Sequence, residues 1–337
     1  MTGSAPTPRT IVLDCDPGHD DAIAMMLAHA HPAIELAAVT TVGGNQTLDK
    51  VTRNALAVAT ICGMCGVPIA AGASHPLVRP VRVAPDIHGE SGMDGPALPE
   101  PAVALDLRHG VDVIIDMLRT RPPGSVTLVP TGPLTNIALA ARKAPDIVGR
   151  AAGVVLMGGG YAKGNTTAAA EFNILCDPEA AQVVFSAGWP VTQVGIDLTH
   201  QATATPDVVS RIAALGSPAA AFVVDLLEFF GRRYREVQGF DAPPVHDVCA
   251  VALVADPSLI ETRPAHVEVE LTGRHSLGMT VTDFAGRGGV PLDHRVAVRL
   301  DRQRFWDMVI DALSALGDRA TTSGPDPDAP LPQASGS

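Results

Sequence analysis

From Thr10 to about residue 255 the chain alternates short apolar runs with longer helical patterns, and that alternation is compatible with few folds. Repeated strand–helix–strand units build a parallel sheet with crossover helices. The spacing predicts strands over 10–15, 34–42, 68–71, 125–130, 152–157 and 191–196. It predicts helices over 20–31, 47–62, 110–120, 134–143, 178–187, 217–235 and 247–255. After Pro264 the period changes. Residues 267–271, 278–284 and 295–300 alternate apolar and polar side chains, as a small C-terminal antiparallel element would, before a last helix over 302–315. The expected class is α/β, a mostly parallel sheet flanked by helices. One domain over 9–316 is the economical reading, with flexible termini at 1–8 and 317–337, the second rich in Pro, Ser, Asp and Gly.

Parallel strands bring their C-terminal ends to one edge, where residues far apart in sequence converge. The polar residues follow that rule. The first strand and the turn after it carry Asp14, Asp16, Asp20 and Asp21, with Pro17 and Gly18 between them. Four carboxylates at one strand-to-helix junction repel unless protonated, solvated or neutralised by a cation. An all-oxygen set suits a hard divalent ion, Ca²⁺ or Mg²⁺. A helix cap, the ordinary reading of such an acid, needs only one. Gly43-Gly-Asn45 follows the second strand, Thr131 to Asn136 the fourth, and Met157-Gly-Gly-Gly160 the fifth. Val245-His-Asp-Val248 adds an imidazole and a carboxylate before an apolar helix. Two long loops, 72–108 and 158–177, hold His88-Gly-Glu-Ser-Gly-Met-Asp-Gly95, Asn165 and Glu171-Phe-Asn173. Loops of that length in a compact domain tend to be functional or disordered. Taken singly, Asn45, Thr131 and His88 read as turn or loop residues.

Composition narrows the partners. A formal net charge of −12 argues against a nucleic-acid or anionic-membrane binder. Residues 55–73 approach transmembrane length, but Gly63, Gly66 and Pro68 divide them into helix, turn and buried strand. The first eight residues are polar and unlike a secretory leader, and five cysteines are an odd number, so reduced thiols in the cytoplasm are expected. Cys62-Gly-Met-Cys65 lacks the second pair or histidine of a zinc site and reads as helix-end packing.

The ordered set Asp14-Cys-Asp-Pro-Gly-His-Asp-Asp21, Thr40-Thr-Val-Gly-Gly-Asn45, His88-Gly-Glu-Ser-Gly92 and Leu128-Val-Pro-Thr-Gly132 resembles the signature of the nucleoside hydrolases, in particular the inosine–uridine-preferring type. The likeness continues through Val155-Leu-Met-Gly-Gly-Gly160, Ala170-Glu-Phe-Asn173, Asp197-Leu-Thr-His200 and Val245-His-Asp247, and covers roughly 10–315. It implies a Rossmann-like sheet and Ca²⁺-dependent hydrolysis of the N-glycosidic bond of ribonucleosides, for nucleoside salvage. It also implies a homodimer or homotetramer. By resemblance, Asp16, Asp21, the main-chain carbonyl of Thr131 and Asp247 hold Ca²⁺. Asp16 is also the general base on a calcium-bound water, and His246 the general acid to the leaving base. Asp20, Asn45, Met157, Asn165, Glu171 and Asn173 line the ribose, and Asp14 braces the cluster. His88, Phe172 and Tyr234 lie around the base.

The chemistry is coherent. Glycosidic cleavage passes through an oxocarbenium-like state that electron-rich groups favour, and a histidine can protonate a departing base near neutral pH. Three positions depart from familiar relatives. His19 stands where leucine is common and is expected to be solvated. Gly132-Pro-Leu stiffens a turn. Gln238 replaces an expected arginine in a segment that covers the base, which leaves the base preference open. Two other readings compete. A haloacid-dehalogenase-like phosphatase also ends its first strand in DxD but needs a later lysine near the phosphate, and only Lys50, Lys143 and Lys163 are present. A calcium-dependent nucleoside-binding protein would need neither Asp16 as base nor His246 as acid.

Overall fold

The computed structural model describes residues 7–322, with side chains to 317. The parallel strands are β1 (Arg9–Cys15), β2 (Ile34–Thr41), β3 (Ile69–Ala71), β4 (Val126–Pro130), β5 (Gly153–Met157) and β6 (Val191–Val194). They are followed by β7 (Ile260–Val269), β8 (Thr280–Asp283) and β9 (His294–Leu300) in one nine-stranded sheet of order β3-β2-β1-β4-β5-β6-β9-β7-β8. Beside β1 the strand order reverses: β2 and β3 extend to one side, β4 to β6 to the other. The crevice at such a reversal is where open α/β sheets bind ligands.

In chain order the helices are α1 (His19–Ala30), α2 (Leu48–Ile61), α3 (Pro85–His88), α4 (Gly110–Thr120), α5 (Thr135–Lys143), α6 (Phe172–Cys176), α7 (Pro178–Ser186), α8 (Ile196–Thr199), α9 (Pro206–Ala213), α10 (Pro218–Gln238), α11 (His246–Ala255) and α12 (Arg302–Thr322). They cover both faces. Ile11, Leu13 and Cys15 of β1 pack with α1, α2 and α9 to α12, whereas Val12 packs with α4, α5 and α7. A strand buried on both faces reads as a continuous apolar run, which is why β1 is legible in sequence. Each fully buried Val or Leu contributes about 1.5–3 kcal/mol, so α11, whose residues are all buried, is held firmly.

Four helices were not expected. α3 and α6 are about one turn each, inside the two long loops, and α8 is as short, so none shows a period. α9 is a longer amphipathic helix opened by Pro206. The C-terminal strands are also more integrated than a separate appendage. β9 runs parallel to β6, and β7 pairs antiparallel with β9 through Ile260 to Ala265 before turning to β8 from His266. β7 therefore starts seven residues before Val267 and runs through Pro264. The proline is tolerated because β8 pairs only from His266 onward, so the missing N–H breaks no ladder bond there. Finally, α12 continues past 316 to Thr322, running through the single Gly317, and the adjacent pair Gly324-Pro325 lies beyond its end. The rest of the expected flexible termini, 1–6 and 323–337, lies outside the described residues.

Within 55–73 the chain forms α2, a turn at Gly63 to Gly66, and β3. Cys62 is the C-cap residue of α2. Among the described residues no helix is long and apolar enough to cross a membrane.

Candidate active site

β1 delivers Asp14 and then Asp16 to the sheet edge, and Gly18 opens α1 so that Asp20 and Asp21 fall in its first turn. Gly18 has to be glycine: a Cβ there would lie 2.4 Å from Nδ1 of His88 and 2.9 Å from the Asn45 amide. Asp14 is braced by the Thr40 hydroxyl at 2.6 Å and the Asn136 amide at 2.8 Å, both donating to Oδ1. Asp16 Oδ2 accepts the Asn45 N–H at 2.7 Å, while Asp16 Oδ1 and Asp14 Oδ2 are buried with no partner. Asp21 accepts from the Gly18 N–H, the Asn45 amide and the Thr131 hydroxyl. Asp20 reaches across to α11 and accepts the His246 and Asp247 N–H groups at 2.8 and 3.4 Å, capping that helix.

All these acids are buried. Burial, and for Asp20 the Asp21 charge, pushes Asp14 and Asp20 up to about 7. Burial and the neighbouring carboxylates push Asp16 and Asp247 well above the usual range. Among the described residues no lysine or arginine forms an ion pair with them to offset this. Oxygens of Asp20, Asp21 and Asp247 lie within 4.8 Å of one another. Orphaned acid oxygens beside an all-oxygen cluster fit a hard divalent cation.

One cavity of about 550 Å³ opens against this cluster. Asp20, Asn45, His88, Thr131, Met157, Asn165, Glu171, Phe172, Asn173, Tyr234, His246 and Asp247 all line it. Glu171 accepts N–H groups from Gly159, Asn173 and Ile174, so it caps α6 and ties it to the glycine turn after β5. Gly159 takes φ +71°, and a Cβ there would strike the side chains of Gln193 and Thr280. Asn173 donates to the Thr131 carbonyl at 2.7 Å and to the Met157 carbonyl at 3.3 Å. His246 lies between two hydroxyls, Thr199 Oγ1 at 2.7 Å from Nδ1 and the Tyr234 hydroxyl at 2.6 Å from Nε2. Burial, then the charge of His200, holds its pKa well below 6.5.

The whole chain between residues 11 and 307 matches the family described as inosine-uridine preferring nucleoside hydrolase. The chain belongs to that family. The inosine-uridine preferring nucleoside hydrolase of Crithidia fasciculata is 53% identical over 92% of this chain and 99% of its own length. The pyrimidine-specific ribonucleoside hydrolase RihA of a Shewanella species is 44% identical over 91% of this chain and 96% of its own. Among solved structures, a purine-preferring ribonucleoside hydrolase from Gardnerella vaginalis superposes with a TM-score of 0.87 at 32% identity, over 92% of this chain and 100% of that one. Nucleoside hydrolases are N-glycosidases that act on ribonucleosides.

In this nucleoside hydrolase the expected site residues meet at one place, with three qualifications. The compact acid triplet contains Asp20 beside Asp21 and Asp247, with Asp16 next to it. The Thr131 carbonyl is engaged by Asn173. His19, expected to be solvated, is fully buried; its ring stacks on Phe229 and Phe230 with centroids 5.2 and 5.0 Å away. That burial comes from α10, whose length and position no local pattern at residue 19 reveals. The hydrolase cavity also includes Ala84, Ile87, Thr166, Phe230 and Gln238, the last donating to the Asn165 carbonyl at 3.2 Å. Thr199 was not singled out in advance, although the Asp197-Leu-Thr-His200 motif after β6 contains it.

Proposed function

We propose that the protein hydrolyses the N-glycosidic bond of ribonucleosides, inosine and uridine among them, to ribose and free base, with Ca²⁺ as its ion, in nucleoside salvage. The observation that carries this reading is one cavity in which hydroxyl-binding groups (Asn45, Asn165, Glu171, Asn173) and an imidazole held by two hydroxyls open beside partnerless acid oxygens.

Asp16, Asp21, Asp247 and the Thr131 carbonyl would hold the ion, with Asp20 beside them. A bound divalent cation supplies orientation of ribose hydroxyls and of a water, and keeps the surrounding carboxyls ionised. Asp16 has a buried, unshared oxygen, Oδ1, and removes the proton from the attacking water. Asn165, Glu171 and Asn173 suit the ribose because amide and carboxylate groups give directional bonds to hydroxyls. The acids near the sugar favour the positive charge that develops as the bond breaks. The departing base needs a proton. His246 supplies it along the line Thr199–His246–Tyr234, in which each group can both give and take a hydrogen. His88, Phe230 and Tyr234 form an aromatic surface for the base, with ring centroids 5.4 and 4.7 Å apart in succession.

We take 9–316, with the end of α12, as one domain because every strand joins one sheet. The five unpaired cysteines fit a reducing, cytoplasmic setting. A homodimer or homotetramer is the working form we expect, which light scattering reads directly. The decisive assay follows base and ribose release from inosine, uridine, cytidine and adenosine, with and without a chelator. Release lost on chelation and restored by Ca²⁺ supports the assignment. Hydrolysis that survives chelation removes the metal from it, and no base release from any nucleoside removes the reaction.

A further inference from the structure

We propose that His19 is a positioning residue: it holds the His88 imidazole in the tautomer whose bare nitrogen, Nε2, accepts a hydrogen bond from a ring N–H of the substrate base. The inference rests on the nucleoside-hydrolase reading above and adds to it a device for choosing among bases.

The chain of hydrogen bonds fixes every proton in it. His19 Nε2 lies 2.8 Å from the main-chain carbonyl of Asp94. A carbonyl only accepts, so the His19 proton sits on Nε2. Neither ring nitrogen bonds to a carboxylate, and burial against two phenyl rings outweighs the charge of the Asp94 carboxylate, so the ring carries a single proton and its Nδ1 is a lone pair. His19 Nδ1 in turn lies 3.2 Å from Nδ1 of His88. Two bare nitrogens would repel at that distance, so His88 Nδ1 carries a hydrogen and donates it. The neutral His88 ring then has its lone pair on Nε2. Among the described residues no protein group bonds to that atom, and it is not one of the sealed, partnerless buried atoms. His88 lines the cavity, so Nε2 is the polar atom it offers there.

The surroundings hold this arrangement rigid. The Asp94 carboxylate accepts the N–H groups of Glu90 and Ser91 and the Ser91 hydroxyl, which clamps the turn that carries the accepting carbonyl. The Asp94 N–H bonds back to the His88 carbonyl at 3.2 Å. Gly18 leaves room for the His88 ring directly over the strand-to-helix turn. With leucine at position 19 the His88 ring would keep its place but lose the acceptor for Nδ1–H, and either tautomer would become available.

A fixed acceptor distinguishes bases by one hydrogen. Hypoxanthine and uracil present an amide N–H on the six-membered ring, whereas adenine and cytosine present a bare ring nitrogen. The test uses matched pairs, inosine with 1-methylinosine and uridine with 3-methyluridine, in which N–CH3 replaces that N–H, removing the donor and adding the bulk of one methyl. Wild type should lose about 10–100-fold in kcat/KM on the methylated partner of at least one pair, the usual cost of leaving a buried polar atom unpaired. His19→Leu should shrink that penalty to a few-fold, chiefly through KM of the methylated nucleoside. His19→Asn should retain it, because a carboxamide oxygen near the position of Nδ1 still accepts from His88. The penalty is a ratio within each variant, so a uniform change in rate or ion affinity cancels. A penalty that is absent in wild type overturns the inference, as does one equal in wild type and His19→Leu, which marks simple steric exclusion. If His19→Leu does not fold, loss of the penalty in folded His19→Asn overturns it equally. Failure of wild type on every parent nucleoside rejects the hydrolase reading instead.

Discussion

Among the described residues, two clusters of potential ligand side chains differ in how far their hydrogen-bonding capacity is filled. At the sheet's C-terminal edge, Asp20, Asp21 and Asp247 cluster, and Asp14 and Asp16 of the same acid set each keep a buried oxygen that no side chain or main-chain group satisfies. Between β7 and β9, His266, Asp293 and His294 also bring ligand atoms within 4.8 Å of one another, beside a cleft of about 750 Å³. There the valences are filled. His294 Nδ1 accepts the Val267 N–H at 3.0 Å, and its Nε2 donates to the Phe185 carbonyl at 3.0 Å, so the ring fastens β9 to β7 and α7. His266 lies 3.0 Å from Asp293 and 3.4 Å from Glu268. Residue type is shared, and unmet hydrogen-bonding capacity is what separates reagent from brace.

That contrast can be broken from either side. Asp16→Asn should reduce kcat/KM on inosine about 10⁴-fold, at the upper end of general base catalysis, with the fold intact by circular dichroism. Activity within tenfold of wild type would remove Asp16 as the base. His246→Ala should slow inosine about 10²–10³-fold while calcium binding, followed by calorimetry, is unchanged; unaltered turnover would sink the acid assignment. In the second cluster, His294→Ala leaves the Val267 N–H and the Phe185 carbonyl unsatisfied, at about 1–3 kcal/mol for each buried group. It should lower Tm and leave kcat/KM per folded enzyme as it was, and a selective loss of activity would contradict the bracing role.

The smallest effect is a pH dependence. Burial opposes charge on His266, but Asp293 and Glu268 outweigh it and raise its pKa above 6.5. A raised histidine stabilises fully below its unfolded pKa, and that contribution fades as pH rises through the folded value. Because the cluster is partly exposed, the amount is at most about 1 kcal/mol. Asp293→Asn should therefore lower Tm at pH 5.5 but hardly at pH 8.5. An equal loss at both would mean that the ion pair contributes nothing.

Much of the site was legible because its signals are local. Asp14 to Asp21 lie on one strand tip and one helix start, and β1 is buried on both faces, so its apolar run and its acids read directly from eight or so residues. α10 was legible as a helix but not in its extent, since its last turn to Gln238 ends only at Gly239 in the left-handed conformation. β7 was hidden by Pro264, whose usual meaning is a strand boundary.

By itself the sequence determined the alternation that makes a parallel sheet, the acids at its edge and the motif order that marks the family. These follow from chain-local periods and spacings, which tertiary contacts seldom override when the pattern is long. Tertiary structure decided what each polar atom faces. It buried His19 beneath α10, set Thr199 and Tyr234 on either side of His246, and used His294 as a clamp. Proton positions and free lone pairs depend on partners tens to hundreds of residues away, and no local pattern encodes them.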